Sequence, residues 1–274
     1  MKKYLFIVLL VGVCDFCWSQ LVPAWSKTYG SNGTDELKSF DVHDQNIYLM
    51  GTNEIIDDPW IIRTEWNGNE SFSSGIEGLE NAQYLKNGII DNENNIIITG
   101  ETQGSSFPTF VTKLDLGLNE IWSQNYDGLG GGLNIIQKFD SNYVIVKKTW
   151  NDPHEGIAVT KLENNGAIMW NSQFEGTIEF GGILNEGSSN IILTSQDIPG
   201  INASSNSLIR LNDNGQYENL NSSQGNGIGD NVNPIALSKN YNGGYIYSTV
   251  ILNEMSMRII STDSLGIQEW EATF

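Results

Sequence analysis

A chain of 274 residues with 33 Asp and Glu against 14 Lys and Arg carries a formal charge of -19. That negative excess argues against nucleic acid and anionic membrane surfaces as partners, and predicts a solvated exterior. The two cysteines, Cys14 and Cys17, fall in a segment expected to be removed, which excludes thiol catalysis, thiolate metal sites and disulfide staples from the mature protein.

That segment opens the chain. Met1-Lys2-Lys3 followed by the apolar run Tyr4 to Val13 reads as a charged n-region and an h-region too short to span a bilayer. Cys17 and Ser19 are small residues at the two recognition positions, so residues 1–19 are predicted to be a cleaved signal peptide. Residues 20–274 then form one exported domain, with no later segment apolar enough for membrane insertion of the mature chain.

Trp25 to Tyr29 alternates aromatics with small or polar residues, the period-two signature of a strand with one buried face. Leu37 to His43 reads as the next strand, Asp44-Gln45-Asn46 as a turn and Ile47 to Gly51 as its partner. The same hairpin recurs at Tyr84 to Ile90 with Ile96 to Gly100, and at Leu133 to Phe139 with Tyr143 to Val146. It returns around Gly187 to Asn190 and Asn242 to Gly244, where Asn, Asp and Gly tolerate positive φ. A loop of changing length follows each hairpin, then a third strand such as Trp60 to Arg63 or Ala158 to Leu162.

A ten-residue motif ends each unit, most completely as Lys161 to Trp170: a cation, an acid or Asn two positions on, a Gly three beyond and an aromatic four beyond that. The other copies are Arg63/Glu65/Gly68/Phe72, Lys113/Asp115/Trp122, Arg210/Asn212/Gly215 and Asp263/Gly266/Trp270. With Trp25, the aromatic slots run Trp25, Phe72, Trp122, Trp170, Asn219 and Trp270, at intervals of 47, 50, 48, 49 and 51 residues. Ser261 replaces one cation, and in the second copy Gly117 stands a place early with Leu118 in the glycine slot.

A repeat near fifty residues holding four short strands and no helical periodicity predicts an all-β β-propeller of four-stranded antiparallel blades, five repeats being visible. Trp25 to Tyr29 is then a sixth aromatic strand without a blade. Either the ring has five blades with a redundant or swapped strand, or these blades are part of a larger ring. In the motif the acid and Gly are expected to make the turn and the Trp to lock neighbouring sheets, so Glu65, Asp115, Glu163, Asn212 and Asp263 stay apart rather than ringing a ligand.

At these residues the chain resembles a family of exported bacterial propeller repeats written roughly as Trp-x-Lys-Thr-Tyr-Gly, Asp-Gly-Gly-Tyr and Lys-Leu-Asp-x-x-Gly-Asn-x-x-Trp. Trp25 to Gly30, Asn242 to Tyr245 and Lys161 to Trp170 carry the likeness, which covers essentially the whole mature chain. It implies a secreted or surface protein; many such proteins also carry a C-terminal sorting domain, and none is visible after Phe274. PQQ-type propellers have a similar tryptophan-docking motif with one more residue between Asp and Gly. Their quinoprotein members rely on a vicinal disulfide and a calcium-held cofactor, which a mature chain without cysteine does not match, so no cofactor is expected. The Asp box of sialidases is similar near Ser261-Thr262-Asp263, but Gly266 and Trp270 fall too late for it.

Catalytic signals are sparse, with two histidines, His43 and His154, and no nucleophile elbow. Asp91 to Asn95 has calcium-type ligands but lacks the Gly and distal Glu of an EF-hand loop, and no metal site is predicted. Propeller geometry brings the variable loops to one face, where binding chemistry concentrates. There Asp57, Asp58, Trp60, Trp150, Asp152 and His154 combine carboxylates with aromatics suited to a sugar or peptide. The sequence therefore predicts a secreted or cell-surface, non-enzymatic binding propeller for an unidentified protein or glycan partner. The alternative is a glycan-active hydrolase or lyase, which needs two loop carboxylates about 5 to 10 Å apart.

Overall fold

A computed structural model describes residues 25–30, 35–53, 58–76, 83–102, 108–126, 132–137, 140–151, 154–175, 177–197, 204–223, 232–252 and 254–274. Five four-stranded antiparallel sheets follow one another along the chain. The first holds β1 (Asp35–His43), β2 (Asn46–Asn53), β3 (Asp58–Glu65) and β4 (Glu70–Gly75). The second holds β5 (Gln83–Ile90), β6 (Ile96–Thr102), β7 (Thr109–Leu114) and β8 (Glu120–Tyr126), and the third β9 (Gly132–Gln137), β10 (Tyr143–Asn151), β11 (His154–Leu162) and β12 (Ile168–Glu175). The fourth comprises β13 (Thr177–Asn185), β14 (Ser189–Asp197), β15 (Ser204–Asn212) and β16 (Tyr217–Ser223). The fifth comprises β17 (Val232–Lys239), β18 (Tyr245–Ile251), β19 (Ser256–Thr262) and β20 (Gln268–Thr273).

Within every sheet the strand order is the chain order, each strand joined to the next by an up-and-down connection. The first strands line up in contact as β1, β5, β9, β13 and β17, which makes them the inner edge of a radial array. Among the described residues no comparable contact joins β17 back to β1. Leu37, Phe40 and Val42 of β1 are accordingly 59%, 65% and 46% exposed. Among the described residues the array is open between its fifth and first sheets.

The core is divided among the junctions. Tyr48, Met50 and Ile61 of the first sheet pack on Leu85, Ile98 and Phe110 of the second. Ile97 and Val111 of the second meet Ile135, Tyr143 and Ile145 of the third, and Val144, Val146 and Val159 of the third meet Ile183, Ile192 and Ile209 of the fourth. Leu193 and Leu208 of the fourth pack on Tyr245, Tyr247 and Ile260 of the fifth. Alternation along each strand sends one set of side chains forward and the other backward, so each middle sheet is buried on both faces. Burying such side chains is worth about 1.5 to 3 kcal/mol each, and sheet stacking is where this fold gains it.

The ten-residue motif joins the sheets. Cross-strand pairing sets its cation directly opposite its aromatic, as Arg63 with Phe72, Lys113 with Trp122 and Lys161 with Trp170. The aromatic then leans onto the following sheet. The Trp122 indole N–H donates to the Asn164 carbonyl at 2.9 Å and the Tyr126 hydroxyl to the Gly166 carbonyl at 2.6 Å. Trp170 donates to the Asp213 carbonyl at 2.7 Å, with Ser172 reaching the Gly215 carbonyl at 2.6 Å.

The glycine of each turn serves two ends. Gly166 holds φ at +89°, and an added Cβ would stand 3.1 Å from the Trp122 ring. Gly215 holds φ at +74°, with Trp170 at 2.7 Å from that position. Only a residue without a side chain allows both the left-handed turn and the indole lying over it. Where Leu118 takes the slot, at φ 64°, the aromatic slot of the preceding sheet holds the smaller Phe72.

Trp25 to Tyr29 departs from the strand predicted for it, because residues 25–30 carry no ladder pairing. The segment still docks as a fourth strand does. Trp25 donates to the Trp66 carbonyl at 2.9 Å and Tyr29 to the Gly68 carbonyl at 2.6 Å. It lies on the first sheet as the last strand of a preceding blade would, and among the described residues no strand pairs with it.

Candidate functional site

At the end of the array formed by the hairpin turns, the charges are used to join sheets. Lys113, almost wholly buried, lies 3.1 Å from Asp91 and 2.9 Å from Glu93, and also bonds Asn164 of the next sheet. Asp91 accepts from the backbone N–H groups of Glu93 and Asn95 at 2.9 and 2.7 Å, and from the Tyr143 hydroxyl of the third sheet at 2.7 Å. Burial pushes the Asp91 carboxyl up; the hydrogen bonds from Asn95, Tyr143 and Lys113, with the Lys113 charge, outweigh it and hold the pKa below the usual value. Burial raises the Tyr143 phenol, and Asp91 raises it further. The calcium-type oxygens of the Asp91 loop thus face an ammonium and a phenol.

The cluster repeats with variations. Lys161 lies 2.7 Å from Asp140 and 3.5 Å from Asp213. Glu186 accepts from the Tyr245 hydroxyl at 2.7 Å and lies 2.8 Å from Lys239 and 3.8 Å from Arg210. Burial is the main cause pushing the Tyr245 phenol up to about 12. In the fifth sheet the same places hold Asn240 and Ser261, whose side chains meet at 3.3 Å without charge. Sequence reading saw Lys113, Lys161 and Arg210 as part of a turn motif and missed their acidic partners, which come from the first hairpin of the same sheet and, for Asp213, from the next sheet.

The opposite end carries the connections between second and third strands. Of the six residues expected there, Asp57 and Asp152 lie outside the described residues. Asp58 and Trp60 stand at the start of β3, Trp150 near the end of β10 and His154 at the start of β11. Trp150 pairs with Glu155 and Asn151 with His154, so the hairpin is tighter than the loop expected and His154 is a strand residue. The two groups belong to the first and third sheets, with the second between them.

Trp60 borders a cleft of about 280 Å³ between the segment 25–30 and the exposed face of the first sheet. Lys27 and Tyr29 form one wall, Leu49, Trp60 and Ile62 the other, and Asp35 and Glu36 the rim. Leu49 opposes Ile62, and Gly51 opposes Trp60, so register puts the apolar wall on one face. At the floor, a Cβ on Gly51 would stand 2.1 Å from the Glu36 carbonyl oxygen, which is why that position is glycine. The Lys38 ammonium bonds Glu36 and holds its carboxyl below the usual range. Lys27, Tyr29, Asp35 and Glu36 gave no sequence signal as site residues, because the cleft depends on where the unpaired segment docks.

Four-stranded sheets stacked radially by docked aromatics define a β-propeller-type fold. No family model matches the sequence, and no curated protein matches it. Solved structures match it in fold. The Pan2 WD40 domain of Neurospora crassa gives a TM-score of 0.55 at 11% identity, covering 84% of this chain and 62% of that one. An exo-beta-1,3-galactanase from Phanerochaete chrysosporium gives 0.52 at 10% identity, covering 84% and 61%. Virginiamycin B lyase from Staphylococcus aureus gives 0.52 at 11% identity, covering 88% and 73%. At such identities the likeness concerns the fold alone, and this chain spans about three-fifths of the length of the first two.

Proposed function

We propose that this protein is an exported, non-enzymatic binding propeller that captures a protein or glycan ligand at the loop end of its sheets. The observation that carries the reading is the cleft beside Trp60. Two aromatic side chains, Trp60 and Tyr29, flank a pocket rimmed by Asp35 and Glu36, the mixture of apolar face and polar edge that holds a sugar ring or a peptide side chain. Of the carboxylates at the cleft, Glu36 is held below the usual range by the Lys38 ammonium, whereas a glycosidase acid needs its pKa moved up. That supports binding over the hydrolase or lyase reading at this cleft. The leader read at residues 1–19 lies outside the described residues and supports delivery to the medium or the cell surface.

The test is a glycan and peptide array probed with the purified protein, followed by calorimetry of the best ligand. Trp60→Ala is expected to raise Kd about tenfold or more, the cost of losing a buried aromatic anchor. Affinity unchanged in both Trp60→Ala and Trp150→Ala would rule out the loop end as the site. Shortening of an offered glycan would make the protein an enzyme.

A further inference from the structure

The fifth sheet ends in a face that none of the four junctions covers. Cross-strand register sets Ile246 with Ser261 and Trp270, Val250 with Met257, and Ser248 with Ile259 and Ala272 on that face. Phe274 joins it through its backbone pair with Met257, at 2.8 and 3.0 Å. Trp270, Phe274 and Met257 are 48%, 71% and 38% exposed, while their repeat equivalents in the second sheet, Trp122, Tyr126 and Thr109, are partly or wholly buried against the third. The first sheet has the complementary free face, with Phe40, Val42, Leu49 and Trp60. Its turn carbonyls at Trp66 and Gly68 are held by Trp25 and Tyr29.

We propose that the free face of the fifth sheet docks on the first sheet of a second copy, head to tail, with Trp270 and Phe274 taking the places of Trp25 and Tyr29. The contact continues an interface the chain already makes: an indole N–H to a turn carbonyl, with the ring over the turn glycine, at Trp122 and Gly166 and again at Trp170 and Gly215. The partner's identity follows from this chemistry, since the first sheet of this chain offers the Trp66 carbonyl and the bare Gly68 at the spacing that Trp122 and Trp170 already use. Among the described residues no contact of the size that joins the other sheets links its own first sheet to the fifth, and another copy satisfies both faces, as heterologous interfaces do. Segment 25–30 is the gate. It has no ladder bonds, Trp25 is 37% exposed, and its release frees the acceptors that Trp270 needs. A copy docked there also covers the cleft beside Trp60, so association and ligand capture compete for the first sheet.

Sedimentation velocity of the purified protein over a concentration series is the test. Trp25→Ala combined with Tyr29→Ala is expected to strengthen association about tenfold or more, while Trp270→Glu abolishes it. Phe274→Ser, at a largely exposed edge, provides a second probe that leaves the fold intact by circular dichroism. A monomer at every concentration in the Trp25/Tyr29 variant overturns the proposal. So does hydrogen exchange showing residues 257–274 protected in a monomer, which assigns the face to the chain's own first sheet. Trp270→Glu lies away from the cleft and leaves ligand affinity unchanged, so a failure here is distinct from a failure of the binding reading.

Discussion

Trp122 and Trp270 hold the same place in the repeat and lead different lives. Trp122 leans on the third sheet, donates to the Asn164 carbonyl at 2.9 Å and packs 6.4 Å from the Tyr143 ring. Trp270 has the same cross-strand neighbour position, opposite Ser261, yet is 48% exposed. The motif therefore stabilises a junction rather than a sheet, and its value depends on what the next sheet presents. Trp122→Ala is expected to cost about 3 to 5 kcal/mol of stability, as deletion of a large packed aromatic does. Trp270→Ala should cost within about 0.5 kcal/mol in dilute solution, as an exposed position does. Urea unfolding of the two variants breaks the comparison if their midpoints fall together.

The same contrast separates the charged junctions from the neutral one. Asp91, Asp140 and Glu186 each carry a pKa below the ordinary carboxylate value, because hydrogen bonds and cations outweigh the upward push of burial. A depressed folded pKa contributes stability that is present above the unfolded value, near 4, and is lost as pH falls through the folded value. Unfolding midpoints are therefore expected to drop as pH is lowered below about 4. In Lys113→Met, Asp91 loses its cation, its pKa rises and the drop begins at higher pH. Replacing Asn240, which meets Ser261 without charge, by Ser should leave that acid limb where it was. A Lys113→Met acid profile superimposable on that of the unaltered protein would mean that the cluster adds nothing to the junction.

What was legible in the sequence follows the range of each interaction. The five hairpin pairs and the motif turns are local, and residue type announces them: Asp115 and Asp263 each accept two backbone N–H bonds within their own turn, as expected. Glu65 and Glu163 do this differently. Their longer side chains accept from Asn67 and Asn165, whose own oxygens take the backbone N–H. The docking of Trp on the next sheet was legible too, because the slot recurs. The Lys113–Asp91–Tyr143 cluster was not, since its members come from two sheets and stand 22 to 52 residues apart. The candidate site was readable only as far as Trp60: its cleft is shaped by where residues 25–30 dock, and no local pattern encodes that. Trp150 and His154 went to strand ends because nine residue pairs close the β10–β11 hairpin almost to its tip.

The smallest effect sharpens the comparison most, because it concerns one position in four junctions. The residue opposite the position after the motif's cation slot is Ile96, Tyr143, Asn190 and Tyr245 in the second to fifth sheets. Tyr143 and Tyr245 reach back to an acid on the preceding sheet, and Ile96 packs in an apolar core. Asn190 does neither. It is fully buried, and among the described residues neither atom of its amide has a hydrogen-bond partner. A buried amide of this kind costs about 1 to 3 kcal/mol of desolvation. Asn190→Ile, which copies the second sheet, is expected to raise stability by about 1 kcal/mol, read as a melting midpoint about 2 to 4 °C higher. A lower midpoint would mean that ordered water completes the amide's bonds and that the junction between the third and fourth sheets is a wet one. Asn190→Tyr then discriminates further: it stabilises only if the phenol finds Asp140, which would make the tyrosine-to-acid bond a portable part of the junction rather than a property of two particular sheets.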